Sequence, residues 1–154
     1  MYLITYYIIN KPKRSNAPSV ENGRSTLMMA DQESEVKDMA LIGRTSAFIN
    51  GLTASVCAMG SMICSGELSV DNQISLIINM LELETSTAEI IVAFELDTIA
   101  PNNVAICKRV FVDTNKRVLA HIEKLQEQGY RLDKVKKSLQ LEIKTLEREL
   151  SLMY

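Results

Sequence analysis

Residues 104–153 read VAICKRVFVDTNKRVLAHIEKLQEQGYRLDKVKKSLQLEIKTLERELSLM. Every seventh position of this stretch is apolar, and the eight residues in this register are Val104, Phe111, Val118, Leu125, Leu132, Leu139, Leu146 and Met153. An apolar repeat of seven residues that stays in phase for this long is typical of a helix with coiled-coil geometry. The stretch therefore predicts a helix over residues 103–152. If continuous, it is about 75 Å long and projects beyond a domain of this size.

The distal half of this predicted helix has a narrower apolar seam than the proximal half. From Leu132 onward the positions beside the seam are mostly charged or polar, which is typical of a two- or three-stranded coil. We therefore predict that this half binds another chain. The predicted interaction residues are Leu125, Leu132, Leu139, Ile143, Leu146 and Leu150. Gly129 lies in phase but weakens a helix interior by about 1 kcal/mol, so a kink there stays open as an alternative.

A second helix pattern runs over residues 31–64 and carries two stripes on nearly opposite sides. One stripe is bulky and apolar, and it consists of Ile42, Thr45, Ile49, Leu52, Val56, Met59 and Ile63. The other stripe is made of small residues, among them Ala47, Gly51, Ala54 and Ala58. Because small side chains allow two helices to approach closely, we predict close helix packing at these four residues and contacts on both sides of the helix.

The same helix contains a long uncharged segment. Residues 45–66 carry no formal charge over 22 positions, which is enough to span a bilayer as a helix. Small residues four positions apart also occur where membrane helices meet. Asn50 and several Ser and Thr residues lower the hydropathy, so a buried soluble helix is the favoured interpretation and membrane insertion the alternative.

A third helix is predicted over residues 69–100, with Ser69 as its N-cap. Its core-facing stripe is predicted to be Ile74, Ile78, Leu81, Thr85, Ala88, Val92 and Leu96, with Glu84 and its acidic neighbours on the surface. Pro101 cannot continue this helix. The short connections at 66–68 and 101–102 predict antiparallel neighbours.

Ahead of the helices, residues 1–9 form a short apolar segment rich in Tyr and Ile, and residues 10–30 have the composition of a flexible linker or extension. The predicted organisation continues with a helical bundle over residues 31–125 and a coiled-coil extension over residues 126–154. The fold class is therefore all-α: an antiparallel helical hairpin followed by a long C-terminal coiled-coil helix.

The composition offers little for catalysis. The chain has 154 residues, 47% of them hydrophobic, with three cysteines and one histidine, His121. A single histidine on the flank of a helix lacks the orienting partner that general-base catalysis requires, and no metal-binding or phosphate-binding motif occurs. We predict no enzyme activity, no cofactor and no metal. The bases Arg131, Lys134, Lys136 and Lys137 are diluted by acids and lack interleaved aromatics, so nucleic-acid binding is not expected.

These features favour a non-enzymatic assembly or adaptor subunit that binds itself or a partner helix through its C-terminal coil. Small subunits and chaperones of bacterial secretion machines share this general architecture, an analogy to which no motif contributes. The alternative is a membrane-active or membrane-anchored protein that inserts residues 45–66. A cytoplasmic location is favoured, while export and membrane association stay open.

Overall fold

Helices make up nearly all of the chain described by the structure, a computed structural model that covers residues 23–153. They are α1 (Gly23–Cys64), α2 (Val70–Ala93), α3 (Leu96–Ile99), α4 (Pro101–Glu127) and α5 (Asp133–Leu152). No strand occurs within these described residues. The predicted all-α class is confirmed.

The N-terminal predictions are tested only in part. The apolar segment 1–9 and residues 10–22 of the predicted linker lie outside the described residues. Residues 23–30 belong to α1 in the structure, where the sequence predicts a linker or extension. The chain divides into two units, Met1–Met39 and Ala40–Tyr154. In the first unit, the described residues belong to α1 and include an exposed ion pair between Lys37 and Glu33 at 3.8 Å.

The connection between α1 and α2 follows from its sequence. Helix α1 ends at Cys64 as predicted, and Gly66 takes a left-handed φ of 76° that glycine adopts without steric cost. The Ser69 side chain then accepts a hydrogen bond from the Asn72 backbone amide, which confirms Ser69 as the N-cap of α2. The turn therefore reverses the chain direction within a few residues.

Within the second unit, the C-terminal part of α1 packs in parallel against α4. Ser46 Oγ donates a hydrogen bond to Asn103 Oδ1 at 3.2 Å near the start of α4. Four turns further along α1, Gly60 faces Thr114 and Val118 with no room for a side chain. The predicted bulky stripe of α1 is buried from Thr45 onward except at half-buried Met59, while its first member, Ile42, is exposed.

Helix α2 packs antiparallel to α4 and parallel to α5. At its start, Gln73 Oε1 lies 2.8 Å from His121 Nε2, near the end of α4. The buried face of α2 is displaced by one position from the predicted stripe. It consists of Gln73, Ile77, Met80, Glu84, Thr87 and Ile91. The predicted core residues Ile78 and Val92 are exposed instead, so the stripe prediction for α2 was wrong.

Helices α4 and α5 form an antiparallel hairpin, and the prediction of one continuous helix was wrong. Gly129, at φ 101°, ends α4. Its amide donates to Gln126 O at 3.0 Å, and the Tyr130 amide donates to Leu125 O at 3.3 Å. This pair of bonds is the Schellman motif, which closes a helix where glycine follows its last turn. The chain therefore turns back at Gly129.

Ion pairs between the two helices show the register of this hairpin. Lys108 Nζ lies 3.0 Å from Glu149 Oε2 and Lys116 Nζ lies 2.8 Å from Glu147 Oε1, so the start of α4 meets the end of α5. The seven-residue repeat predicted from the sequence is buried from Val104 through Leu146, on both sides of the turn. The repeat therefore identified core positions correctly, although α5 does not project from the bundle.

Candidate functional site

A groove runs along the surface between α2 and α5, with a volume of about 600 Å³. The two helices are parallel here, so each level of the groove is lined by one turn from each. The lining residues are Ile77, Ile78, Leu81, Glu82, Thr85, Ser86, Lys134, Val135, Ser138, Leu141 and Glu142. A shallower cleft of about 430 Å³ continues past Ile78 toward Arg131.

Two of the apolar side chains that line the groove are exposed to solvent rather than packed in the core. Ile78 is 46% exposed and Leu141 is 67% exposed, and they stand on facing helices. Between them, Leu81 and Val135 are half-buried. Single exposed apolar residues are ordinary on protein surfaces, but several that line one concave surface indicate a binding site for apolar side chains.

Charged residues lie at the two ends of the groove. Lys134 lies at the end where α5 begins, and Glu142 lies about 12 Å further along α5 at the usual helical rise. Partial burial raises the pKa of the Glu142 carboxyl, and the nearby Glu149 carboxylate raises it further. Neither Lys134 nor Glu142 forms an ion pair with another residue of the described chain. The groove is thus apolar along its floor and oppositely charged at the two ends of its α5 wall, while exposed Glu82 lines its α2 wall.

A buried polar layer lies behind the groove, inside the bundle. Glu84 of α2 is only 1% exposed, and Asn115 of α4 is fully buried. Neither Glu84 oxygen and neither Asn115 side-chain atom has a hydrogen bond of good geometry with a described residue. The Asn115 amide nevertheless lies close enough to favour the ionised form of Glu84 in part.

The electrostatic state of Glu84 follows from this burial. Loss of hydration raises its pKa to about 8, and repulsion from Glu142 acts in the same direction. The carboxyl is therefore mostly protonated at neutral pH. No lysine or arginine of the described chain is among the groups that shift this pKa. The sequence interpretation missed Glu84, because an acidic residue beside a plausible apolar stripe is normally on the surface.

The surroundings of His121 indicate a role in helix packing. Its hydrogen bond to Gln73 joins α4 to α2. Burial lowers the pKa of the imidazole, and the nearby Lys124 lowers it further, so the ring is neutral at pH 7. Within residues 23–153, no three His, Cys, Asp or Glu side chains come close enough to hold a metal ion.

The predicted interaction residues lie mainly inside the chain's own core. Leu125, Leu132, Leu139, Ile143 and Leu146 are buried, and Leu150 is half-buried. In this arrangement their contacts are with α2 and α4, because the turn at Gly129 brings α5 back onto the bundle. The surface that α5 leaves open is the opposite one, which carries Leu141.

The predicted close-packing residues lie on the exposed side of α1. Ala47, Gly51, Ala54 and Ala58 are all exposed, and a side chain added at Gly51 meets nothing within 4 Å. Within the described chain no element covers this side of α1, so close helix packing at these four residues stays a prediction. The actual close approach is at Gly60, which belongs to neither predicted stripe.

The groove thus offers apolar side-chain sites with a charge at each end, a chemistry suited to binding a helix. No protein family, curated protein or solved structure matches this chain.

Proposed function

We propose that this protein is a non-enzymatic helical assembly or adaptor subunit that binds itself or a partner helix through its C-terminal helix α5. The observation that supports the proposal is the groove between α2 and α5, with exposed Ile78 and Leu141 on facing walls. It replaces the seam around Leu139 as the proposed contact surface, since that seam is occupied by the chain's own core.

The shape of the groove favours a helix as its occupant. The lining residues extend over about two and a half turns of each helix. A third helix that lies in such a groove presents apolar residues at i, i+3, i+4 and i+7 and keeps its polar face in water. Apolar residues at that spacing would pack between Ile78 and Leu141.

The polar groups of the groove favour binding over covalent chemistry. Ser138 lies at its centre, but its Oγ donates to Lys134 O at 3.0 Å within its own helix. A nucleophilic serine instead needs a hydroxyl that donates to a general base. Ser138 is thus not placed as a nucleophile. The Glu142 carboxyl, which has no ion-pair partner in the described chain, can form an ion pair with a bound chain.

Site-specific photo-crosslinking tests the proposal. With p-benzoylphenylalanine at Leu141 of the full-length chain, irradiation of cells should give a discrete covalent adduct with a polypeptide. The matched control is the same substitution at Ile106, which is 52% exposed on α4 and does not line the groove. The absence of an adduct at Leu141, or equal adducts at both positions, would contradict the proposal.

The alternative function is membrane insertion by α1, and one observation favours it. Helix residues Ala30–Cys64 contain an 18-residue window with a mean hydropathy of 1.5, which is long and apolar enough to cross a bilayer, and only 28% of that window is buried. A core helix of a soluble protein passes the same length and hydropathy test. The bundle opposes insertion, because Arg117 of α4 contacts Cys57 in the middle of the uncharged segment. Helix α1 would have to leave α4 before it entered the bilayer.

Carbonate extraction distinguishes the two functions. An adaptor remains in the supernatant after lysis or is released from membranes at alkaline pH, whereas an inserted α1 remains in the pellet. An Ala54→Lys variant places a charge on the exposed face of α1 and should abolish pelleting if α1 spans the bilayer. If the original chain and the Ala54→Lys variant both stay in the supernatant, the membrane alternative is contradicted.

A further inference from the structure

We propose that the occupant of the α2–α5 groove is a second copy of this chain, related by a twofold axis that passes near Ser138 and sets the two α5 helices antiparallel. This inference rests on the proposed function and names the partner. It follows from the order of apolar and charged residues along the α5 wall of the groove, which is complementary to itself when reversed.

The apolar residues are placed symmetrically about Ser138. Val135 lies three positions before it and Leu141 three positions after it. A twofold axis at Ser138 therefore places Leu141 of each copy beside Val135 of the other, where Ile78 also lines the groove. The most exposed apolar residue of the groove is thus brought to an apolar site at the opposite end. Two equivalent contacts form at once, as an isologous interface requires.

The charged residues follow the same symmetry. Lys134 lies four positions before Ser138 and Glu142 four positions after it, about 6 Å on either side along the helix. The twofold axis brings Lys134 of one copy opposite Glu142 of the other, and the reciprocal pair forms at the other end. Neither residue has an ion-pair partner within the described chain. A parallel arrangement would instead place like charges together.

The centre of the proposed interface permits close contact. Ser138 is small, and its hydroxyl hydrogen is already bonded to the Lys134 carbonyl oxygen at 3.0 Å. Two α5 helices can therefore meet there without an unsatisfied donor. The partly buried carboxyl of Glu142 has a raised pKa in the single chain, and a lysine from a second copy would stabilise its ionised form.

The first test is the mass of the full-length chain measured by light scattering and sedimentation equilibrium. We expect a concentration-dependent dimer. Leu141→Asp should weaken dimerisation by at least about tenfold, because it places a carboxylate at an apolar contact twice in each dimer. Ile106→Asp on α4 is the matched control and should leave the dissociation constant unchanged. Circular dichroism verifies that both variants stay helical.

Charge reversal tests the twofold register itself. Lys134→Glu and Glu142→Lys should each weaken the dimer by about tenfold, since each replaces two attractive pairs with two repulsive ones. The double variant Lys134→Glu/Glu142→Lys restores both pairs with reversed polarity. Its dissociation constant should return to within about threefold of the original value, as expected for a direct pair.

The outcomes separate this inference from the proposed function. A chain that is monomeric at all concentrations but crosslinks from Leu141 to a different polypeptide would overturn the second copy and leave the adaptor function standing. A dimer unaffected by Leu141→Asp would overturn the groove as its interface. The absence of rescue in the double charge variant would overturn the twofold register. The absence of any crosslink at Leu141 would contradict the adaptor function as well.

Discussion

Helix α1 and the α4–α5 hairpin show that apolar character and burial do not follow one another in this protein. Helix α1 carries the longest uncharged segment, yet its small-residue side, which includes Ala54, is exposed. The hairpin is rich in Lys and Glu, yet its seam around Leu139 is completely buried. Burial depends on whether another element covers a face, and only the fold supplies that element.

Helix α1 and the hairpin also differ in which element covers their apolar faces. Helix α1 lies against α4 through one stripe and has no described neighbour on the other, so its small residues pack against nothing. The hairpin covers its own seam because the chain reverses at Gly129. Substitutions on the exposed side of α1 and in the buried seam of the hairpin therefore test this difference directly.

The largest effect is expected inside the hairpin. The double variant Leu139→Lys/Leu146→Lys places two ammonium groups in the core and should lower the free energy of unfolding by about 5 kcal/mol or more, enough to unfold the chain. The control is Leu141→Lys, on the exposed side of the same helix, which should keep the helical circular dichroism signal. A folded double variant with a smaller oligomer mass would show instead that the seam faces another chain.

A smaller effect is expected at the buried carboxyl of α2. Glu84 has a pKa of about 8 in the fold and about 4.5 when unfolded. The folded state therefore holds a proton that the unfolded state releases, and stability falls as the pH rises from about 4.5 to about 8. Glu84→Gln should remove this dependence and be more stable than the original chain by about 2–3 kcal/mol at pH 7.

Urea unfolding at pH 5, 7 and 8.5 measures this difference. The urea midpoints of the original chain and of Glu84→Gln should converge at pH 5 and separate as the pH rises. The other titrating groups are the same in both proteins, so their effects cancel in the difference. A gap that is constant across this range would show that Glu84 is not protonated in the fold.

Alanine substitutions at two of the glycines of α1, Gly60 and Gly51, are predicted to have opposite effects. Gly60→Ala should lower the free energy of unfolding by about 1–2 kcal/mol, because its methyl group meets the Thr114 methyl. Gly51→Ala meets nothing and should raise it by about 0.5–1 kcal/mol. Adding Thr114→Ser to Gly60→Ala removes the obstructing methyl and should recover most of the loss. Equal effects of the two alanines would contradict the parallel packing of α1 on α4.

The turn at Gly129 predicts an effect of about 1 kcal/mol. Gly129→Ala forces a side chain into a left-handed φ and should lower the free energy of unfolding by that amount, with Gly51→Ala as the control. Thermal unfolding measured by circular dichroism is sufficient. Stabilisation by Gly129→Ala would indicate that α4 and α5 are joined as one helix.

The smallest effect is expected on the exposed side of α1. Ala54→Leu should change the free energy of unfolding by less than about 0.5 kcal/mol, because nothing in the described chain covers that residue. A clear loss of stability or of oligomer mass would show that this side is packed after all.

Several local features could be predicted from the sequence because their causes are local. Ser69 caps α2 and Cys64 ends α1 because capping depends on a few neighbouring residues. The repeat that includes Leu139 identified buried positions because a helix places every seventh residue on one face. The groove could not be predicted in the same way. Two stripes one position apart on α2 were both plausible, and only packing placed Ile78 outside and Glu84 inside.

The sequence by itself determined which faces of the helices are apolar and that the chain is all-α. The tertiary structure alone decided what covers those faces: α5 returns to its own bundle, α1 is covered on one side, and Glu84 takes a core position. The physical reason lies in Gly129. A seven-residue repeat continues in phase through a glycine whether the helix continues or reverses. Only the hydrogen bonds of the closed turn distinguish the two.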